Sequence, residues 1–443
     1  MTEPKPIAVA LVGAGEFGAT FLAQARRIPD LAVRLVCDRD AGRAASAARA
    51  AGYEAAHCAS RAEALAAIEA GRVAVVDDMG LIADLPLESV VEATGDPEAA
   101  AATAELALAS GYDSALVTKE AEVVVGPILA AKAKAAGLVH TPVDGDQPSL
   151  LVGLIARARL LGLPVIAAGK STESDYVFDP DRETVAAWGD TVAAPGYAGR
   201  FADGSRDGLA ERVLPALATA TPPDLCEMTI VANHCDLAPD RPELHAPVAR
   251  TTELPNVFRP REHGGVLEKR GVVDVFTCLR RPDEISFAGG VFVVVEAPDP
   301  ATGRLLAGKG IPGSDDGRYL MLHNPVHLLG VEAPASIIAA ARTGRGTGGN
   351  PRPRFDLCAR ATRDLAQGEA MPLGARHTVP NTAPLVLPAR PLGPDAPAPY
   401  YLVAGSRLRR PVKAGAVIVC GDLDIEPGRA LYRLRREQDA HFA

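Results

Sequence analysis

The chain of 443 residues contains no apolar stretch approaching the roughly twenty residues that a membrane-crossing helix needs, because charged residues, glycine or proline interrupt its richest runs. No membrane segment is expected. Positive charge is not in excess either: 46 lysines and arginines stand against 55 acids, a formal net charge of -9. Gripping a nucleic-acid backbone takes a basic face that displaces counterions, so no nucleic-acid partner is expected, although a local basic pocket for one small anion stays open. The seven cysteines are scattered without paired metal-ligand spacing, and Met1–Pro6 carries no secretory hydrophobic core before the first strand. Both features predict a reduced, cytoplasmic protein whose cysteines are small core residues. Long low-complexity tracts are also missing, and 48% of residues are hydrophobic. At this length two or three domains are expected, each able to bury an interior.

What is present begins at once. The strand-like run Ile7–Val12 leads into Gly13-Ala14-Gly15-Glu16-Phe17-Gly18, and Ala19–Arg27 reads as a helix. In such a fingerprint Gly13 makes the tight turn, Gly15 lets a pyrophosphate approach the backbone, and Gly18 allows helix and strand to pack closely. Glu16 and Phe17 open the helix, whose N-terminus favours an anion. A second strand, Ala32–Val36, ends at Cys37-Asp38-Arg39, which places Asp38 at the offset of a ribose-binding acid. Strand, glycines, helix, strand and acid in this order predict a dinucleotide site. Asp38 accepts from a free ribose hydroxyl and repels a phosphate, whereas Arg39 attracts one, so NAD and NADP both remain open.

From residue 1 to 145 short apolar strands alternate with Ala-rich helices, the pattern of a parallel sheet with helices on both faces. The strand Ser89–Ala93 ends at Thr94-Gly95, and Ser114–Val117 ends at Thr118-Lys119-Glu120, so Thr94, Gly95 and Lys119 are expected to face the cofactor. Residues 146–345 change texture, with strand-like pieces at Pro164–Ala168, Met228–Ala232 and Val291–Ala297 among long loops. This predicts an α+β substrate domain. The Gly-rich stretch Thr343–Pro351 has the composition of a flexible linker. Residues 346–443 then read as a small β-rich module with no convincing helix.

Hydride transfer to a carbonyl leaves a developing alkoxide that needs a positioned proton donor. Lys170 follows an apolar strand and a glycine, where burial and neighbours are expected to lower its pKa towards working pH. Asp146, at the junction of two domains, is a helix N-cap ahead of Gln147-Pro148, a partner for Lys170, or both. His327 is a candidate acid or phosphate donor beside Glu332. Its spacing from His323 is that of a helical metal pair, but Pro325 between them disfavours the helix, and no metal site is expected. Arg259, Arg261, Lys269 and Arg270 form either a solvated face or cations for an anionic substrate.

Several segments together resemble the homoserine-dehydrogenase-like oxidoreductases with a C-terminal SAF domain, and within them the type similar to 1-deoxy-D-xylulose-5-phosphate reductoisomerase. They are Gly13–Gly18 with Asp38-Arg39, Glu92–Gly95, Thr118–Glu120, Gly145-Asp146-Gln147-Pro148, Ala168-Gly169-Lys170, Pro325–Leu328, and Ala361–Leu365 with Pro411–Gly415. The resemblance implies NAD(P)-dependent reduction of a carbonyl, with a substrate-domain lysine at the reacting centre and reductoisomerisation of a sugar phosphate as one version. That version would call for a divalent metal such as Mg. Met321–Val326 and Ser171–Tyr176 depart from the pattern where substrate is expected to bind. A homoserine-type or polyol-derived dehydrogenase and a non-catalytic dinucleotide sensor are the alternatives. A symmetric homo-oligomer acting on a small, anionic hydroxy or oxo compound is the expected form.

Overall fold

The computed structural model describes residues 5–443. Met1–Pro4, most of the stretch read for a secretory core, therefore lies outside the described residues. The first domain alternates β1 (Ile7–Val12), α1 (Glu16–Ala25), β2 (Leu31–Cys37), α2 (Ala41–Ala50), β3 (Ala55–His57), α3 (Arg61–Glu69), β4 (Val73–Val76), β5 (Ser89–Glu92), α4 (Pro97–Ala109), β6 (Asp113–Leu116), α5 (Lys119–Ala135) and β7 (His140–Pro142). All six residues of β1 are buried, as a strand covered by helices on both faces requires. The sheet runs β3-β4-β2-β1-β5-β6-β7 with every neighbouring pair parallel. Connections leave β1 towards opposite edges, which opens a crevice beyond the carboxyl ends of β1 and β5.

The chain crosses to a mixed sheet through α6 (Gln147–Leu160) and β8 (Val165–Ser171). Near the centre, β8 pairs parallel with Val272–Arg280 and antiparallel with Val291–Glu296. A Cβ on Gly169 would lie 2.1 Å from the Asp274 carbonyl oxygen and 2.8 Å from the Phe292 ring, so only glycine lets these strands close over the end of β8. The fold is thus α/β, a parallel dinucleotide-type sheet followed by a mixed-sheet domain.

Three readings are corrected. Met228–Ala232 is not a strand but part of the helix Pro222–Cys235. A capping box between Thr221 and Asp224 and two prolines in the first turn start it, and near-complete burial overrides the weak helix propensity of Thr229, Ile230 and Val231. The Gly-rich stretch is tied down as well: Thr347 donates its N–H to the Thr141 hydroxyl at 2.8 Å and accepts from Ser149 at 2.9 Å. Finally, the C-terminal module ends in a helix, Ala430–His441, packed on α4 and α5. Its Gln438 accepts from Ile128 N–H and donates to Val124 C=O, the pair a regular α5 would join beside Pro127.

The remaining module consists of the antiparallel pair Phe355–Ala361 with Thr382–Pro388 and a three-stranded sheet of very short strands. Asn233 fastens it to the middle of the molecule, accepting from the N–H groups of Arg354 and Phe355 and donating to the Phe355 carbonyl. The chain also returns to the first domain before reaching the module. Helix Ala333–Thr343 packs on α1, β6 and β7.

Candidate active site

The glycine fingerprint has the geometry its spacing predicts. Gly13 sits at φ 100°, and a Cβ there would fall 2.4 Å from the Ala93 carbonyl oxygen. On Gly18 a Cβ would fall 2.2 Å from the Gly13 carbonyl, whereas on Gly15 it would meet nothing within 4 Å. Gly15 caps α1 without any side-chain hydrogen bond, leaving the first N–H groups of the helix free for an anion. The donor set fits a dinucleotide diphosphate.

On one side of this loop lies a pocket lined by Gly13, Asp38, Arg39, Arg43 and Thr94. Asp38 accepts from Ala14 N–H at 2.8 Å and from Arg43 Nη2 at 2.6 Å. Burial alone would raise its pKa, but Arg43 and the N–H groups of Ala14 and Asp40 hold the carboxyl below its ordinary value. Arg43, in the first turn of α2, carries no motif in the sequence. On the other side of the loop opens a cleft of about 470 Å³ lined by Glu16, Phe17, Gly95, Lys119, Asp146 and His327, among others. All of the candidate cofactor residues border the pocket or the cleft except Gly15, in the loop between them, and Gly18, in the first turn of α1.

Glu92 organises the two strand ends at this crevice. Fully buried, it accepts from the N–H and hydroxyl of both Thr94 and Thr118. Burial raises its pKa even against those four donors. The Thr118 hydroxyl also accepts from Gly95 N–H at 3.0 Å, which ties the loops after β5 and β6 together.

At the cleft floor the two lysines meet on one carboxylate. Glu227, from helix Pro222–Cys235, contacts Lys119 through Oε1 and lies 2.5 Å from Lys170 Nζ through Oε2. Lys170 is also 3.0 Å from Asp224 and 3.2 Å from Glu173. The expected lowering of the Lys170 pKa is overturned. Burial does push it down, but Glu227, Asp224 and Glu173 outweigh that and hold it above the ordinary lysine value. Its side chain is 0% exposed, whereas that of Lys119 is 21% exposed and lines the cleft.

Asp146 caps α6 by accepting from Gln147 N–H, and its Oδ1 lies 4.0 Å from Lys119 rather than against Lys170. Burial pushes its carboxyl up to about 6, with Lys119 pulling down and Glu227 pushing up. This is a group able to exchange a proton near neutrality. His327 lines the same cleft, packed over Gly289, but Glu332 accepts from Leu328 N–H instead of pairing with it. His323 stands at the end of a strand, Tyr319–Asn324, not on a helix. Of the basic run, the three arginines face local acids: Arg259 faces Asp316, Arg261 faces Glu268, and Arg270 faces Glu296, whereas no ion pair holds Lys269 among the described residues.

Glu227, Asp224, Trp188, Arg376 and His377 do not stand out in the sequence. The first two lie just ahead of Met228–Ala232, the part of their helix that reads as a strand, and the others come from loops without local motif. Among the described residues no group of three or more His, Cys, Asp or Glu is placed to hold a metal ion. The carboxylates at the cleft floor are engaged by ammonium groups, so the residues present do not fit a magnesium centre.

Residues 145–333 match the family model described as oxidoreductase DRL, catalytic domain. No curated protein matches the chain. Among solved structures, a putative myo-inositol dehydrogenase from Sinorhizobium meliloti is similar at 13% identity and a TM-score of 0.38, over 78% of this chain and 92% of that one. GenD2 from gentamicin A biosynthesis, in complex with NAD, is similar at 14% identity and a TM-score of 0.37, over 78% and 89%. A probable dehydrogenase from Thermotoga maritima is similar at 11% identity and a TM-score of 0.38, over 77% and 90%. The parallel dinucleotide-type sheet and the match of residues 145–333 to an oxidoreductase catalytic domain together support an NAD(P)-dependent oxidoreductase.

Proposed function

We propose that the protein is an NAD-dependent dehydrogenase or reductase of a small hydroxy or oxo compound, with hydride transfer in the cleft between the glycine loop and Lys119. The observation that carries this reading is continuity: the Asp38 pocket, the open face of Gly15 and the Lys119–Asp146 cleft follow one another across a single loop. Asp38, already negative and pinned by Arg43 and Ala14, favours a free ribose hydroxyl over a phosphate. When bound, the nicotinamide supplies the carbon that gives or takes hydride.

The protein's own part is charge and proton management. Lys119 places an ammonium where an alkoxide would develop, and its raised pKa, set by Glu227 and Asp146 against the pull of burial, keeps it charged throughout. Asp146 accepts the proton of a hydroxy substrate, or returns it to an oxo substrate. Lys170 is a positioning residue: by engaging Glu227 and Asp224 it fixes the carboxylate that aims Lys119.

A second reading, reductoisomerisation of 1-deoxy-D-xylulose 5-phosphate, is favoured by one observation. Gly145-Asp146-Gln147-Pro148 and Ala168-Gly169-Lys170, which carry that resemblance, both reach this cleft floor and both lie within the matched segment. Cofactor oxidation with NADH and NADPH in parallel separates the readings, using deoxyxylulose phosphate and a panel of oxo acids and polyol-derived ketones, with and without magnesium. NADH turnover on the panel without metal supports the dehydrogenase. Magnesium-dependent turnover on deoxyxylulose phosphate supports the second reading, and cofactor binding without any turnover overturns both in favour of a sensor.

A further inference from the structure

The C-terminal module sends one loop, Gly374–Thr378, into the cleft. The loop is closed on itself by Gly374 N–H donating to Thr378 O at 2.7 Å and by the Thr378 hydroxyl donating to Ala375 O at 2.8 Å. Its tip holds Arg376 and His377, both at φ 53°. Two consecutive non-glycine residues in the left-handed region are strained and persist where surrounding structure imposes them. Here the imposing contacts come from the dinucleotide domain. His377 Nδ1 lies 3.0 Å from Oε1 of the buried Glu120, and its ring packs against Gly95.

With His377 anchored, Arg376 is directed over the cleft. Its guanidinium carbon stands 4.2 Å from the centroid of the Trp188 ring, and both side chains line the cleft that holds Lys119 and Asp146. Trp188 is itself held at φ 56°, with its N–H donating to Ser174 Oγ at 2.8 Å. A guanidinium stacked on an aromatic face keeps its in-plane N–H donors available. Among the described residues Arg376 makes no ion pair and no side-chain hydrogen bond, while the nearby carboxylates of Asp146 and Glu173 face Lys119 and Lys170.

We propose that Arg376 is a specificity-determining residue that takes an oxyanion of the substrate, a carboxylate or phosphate monoester, in the plane of its stacked guanidinium. The C-terminal module thereby completes the substrate pocket. The proposal rests on the cleft being the substrate site and names the substrate class for it: a hydroxy or oxo compound carrying an anion at the end remote from Lys119.

Trp188 is the one tryptophan of the chain, so its emission reports on this stack without any turnover. Full-length protein is titrated with inorganic phosphate, with malonate and with neutral erythritol, at constant ionic strength, with and without saturating NAD. A saturable emission change with phosphate or malonate, absent with erythritol, is expected; which anion saturates at lower concentration identifies the group. Arg376→Gln is expected to weaken that binding roughly tenfold or more, the worth of a charge-assisted bidentate contact, and Arg376→Lys to restore it only in part. No saturable change in the wild type, or an unchanged response in both variants, would overturn the proposal. NAD affinity is measured calorimetrically on the same samples: intact NAD binding with no anion response sinks this inference alone, whereas absent NAD binding sinks the assigned function.

Discussion

Lys119 Nζ lies 4.0 Å from Asp146 Oδ1, the first residue of α5 meeting the N-cap of α6. In the proposed mechanism Asp146 carries the proton beside a fixed positive charge. For oxidation of a hydroxy substrate it must be ionised, so log kcat/KM is expected to rise with pH through about 6 and then level off. Asp146→Asn should abolish that limb and reduce kcat by about 10²–10⁴.

The same shift has a consequence for stability. A carboxyl raised from its ordinary value of 3.8 to about 6 contributes most below the lower value and loses that contribution as pH rises through the upper one. Above pH 6 the wild type carries a penalty that the neutral amide of Asp146→Asn lacks. Thermal unfolding of Asp146→Asn relative to wild type is thus expected to shift upward between acidic and alkaline buffer, while activity is lost.

Glu122 behaves in the opposite sense. It joins α5 to His140 at 2.9 Å and to His234 of helix Pro222–Cys235 at 3.1 Å. Burial favours its neutral form, but the two imidazoles more than offset this and bring its pKa from 4.5 to about 2. Its contribution is full above 4.5 and lost as pH falls towards 2. Glu122→Ala should destabilise at neutral pH by about 1–3 kcal/mol for each buried imidazole left without its hydrogen-bond partner. Denaturant unfolding across acidic pH should show that difference shrinking towards pH 2.

Gly145 adjoins Asp146 with φ 92°, and a Cβ there would lie 1.8 Å from the Leu329 carbonyl oxygen. Gly145→Ala is expected to force these loops apart, costing about 1–3 kcal/mol in backbone strain alone and displacing Asp146. Activity should fall more than the unfolding temperature does, which steady-state assays and thermal melts together would show.

Much of this architecture was legible in sequence because its signals are local. Gly13–Gly18, Asp38 and the polar residues ending β5 and β6 each follow an apolar strand directly, and chain order alone delivers them to one crevice. The ion network at the cleft floor was not legible, since Glu227 reaches Lys119 from 108 residues away on a helix whose Ile and Val content mimics a strand. The final helix was hidden for the opposite reason: its apolar stripe is little more than Leu431 and Leu434 among arginines and acids. Arg376 and His377 gain meaning only from the fold that carries their loop to Trp188 and Glu120.

Cofactor choice follows from Asp38. NAD is expected to bind at least about tenfold more tightly than NADP, the penalty for facing a phosphate with a carboxylate. Asp38→Ser should reverse the preference by releasing Arg43 and leaving Arg39 beside it. Parallel titrations of both cofactors measure this.

The proposed role of Lys119 is to act on the substrate and not on the cofactor. Its most direct test measures NAD dissociation constant and kcat for Lys119→Met beside the wild type, on the substrate selected by the turnover panel. For Lys119→Met a dissociation constant unchanged within about threefold and a kcat lowered by about a hundredfold or more are expected. Retained turnover, or NAD affinity lost in step with it, would rule that role out.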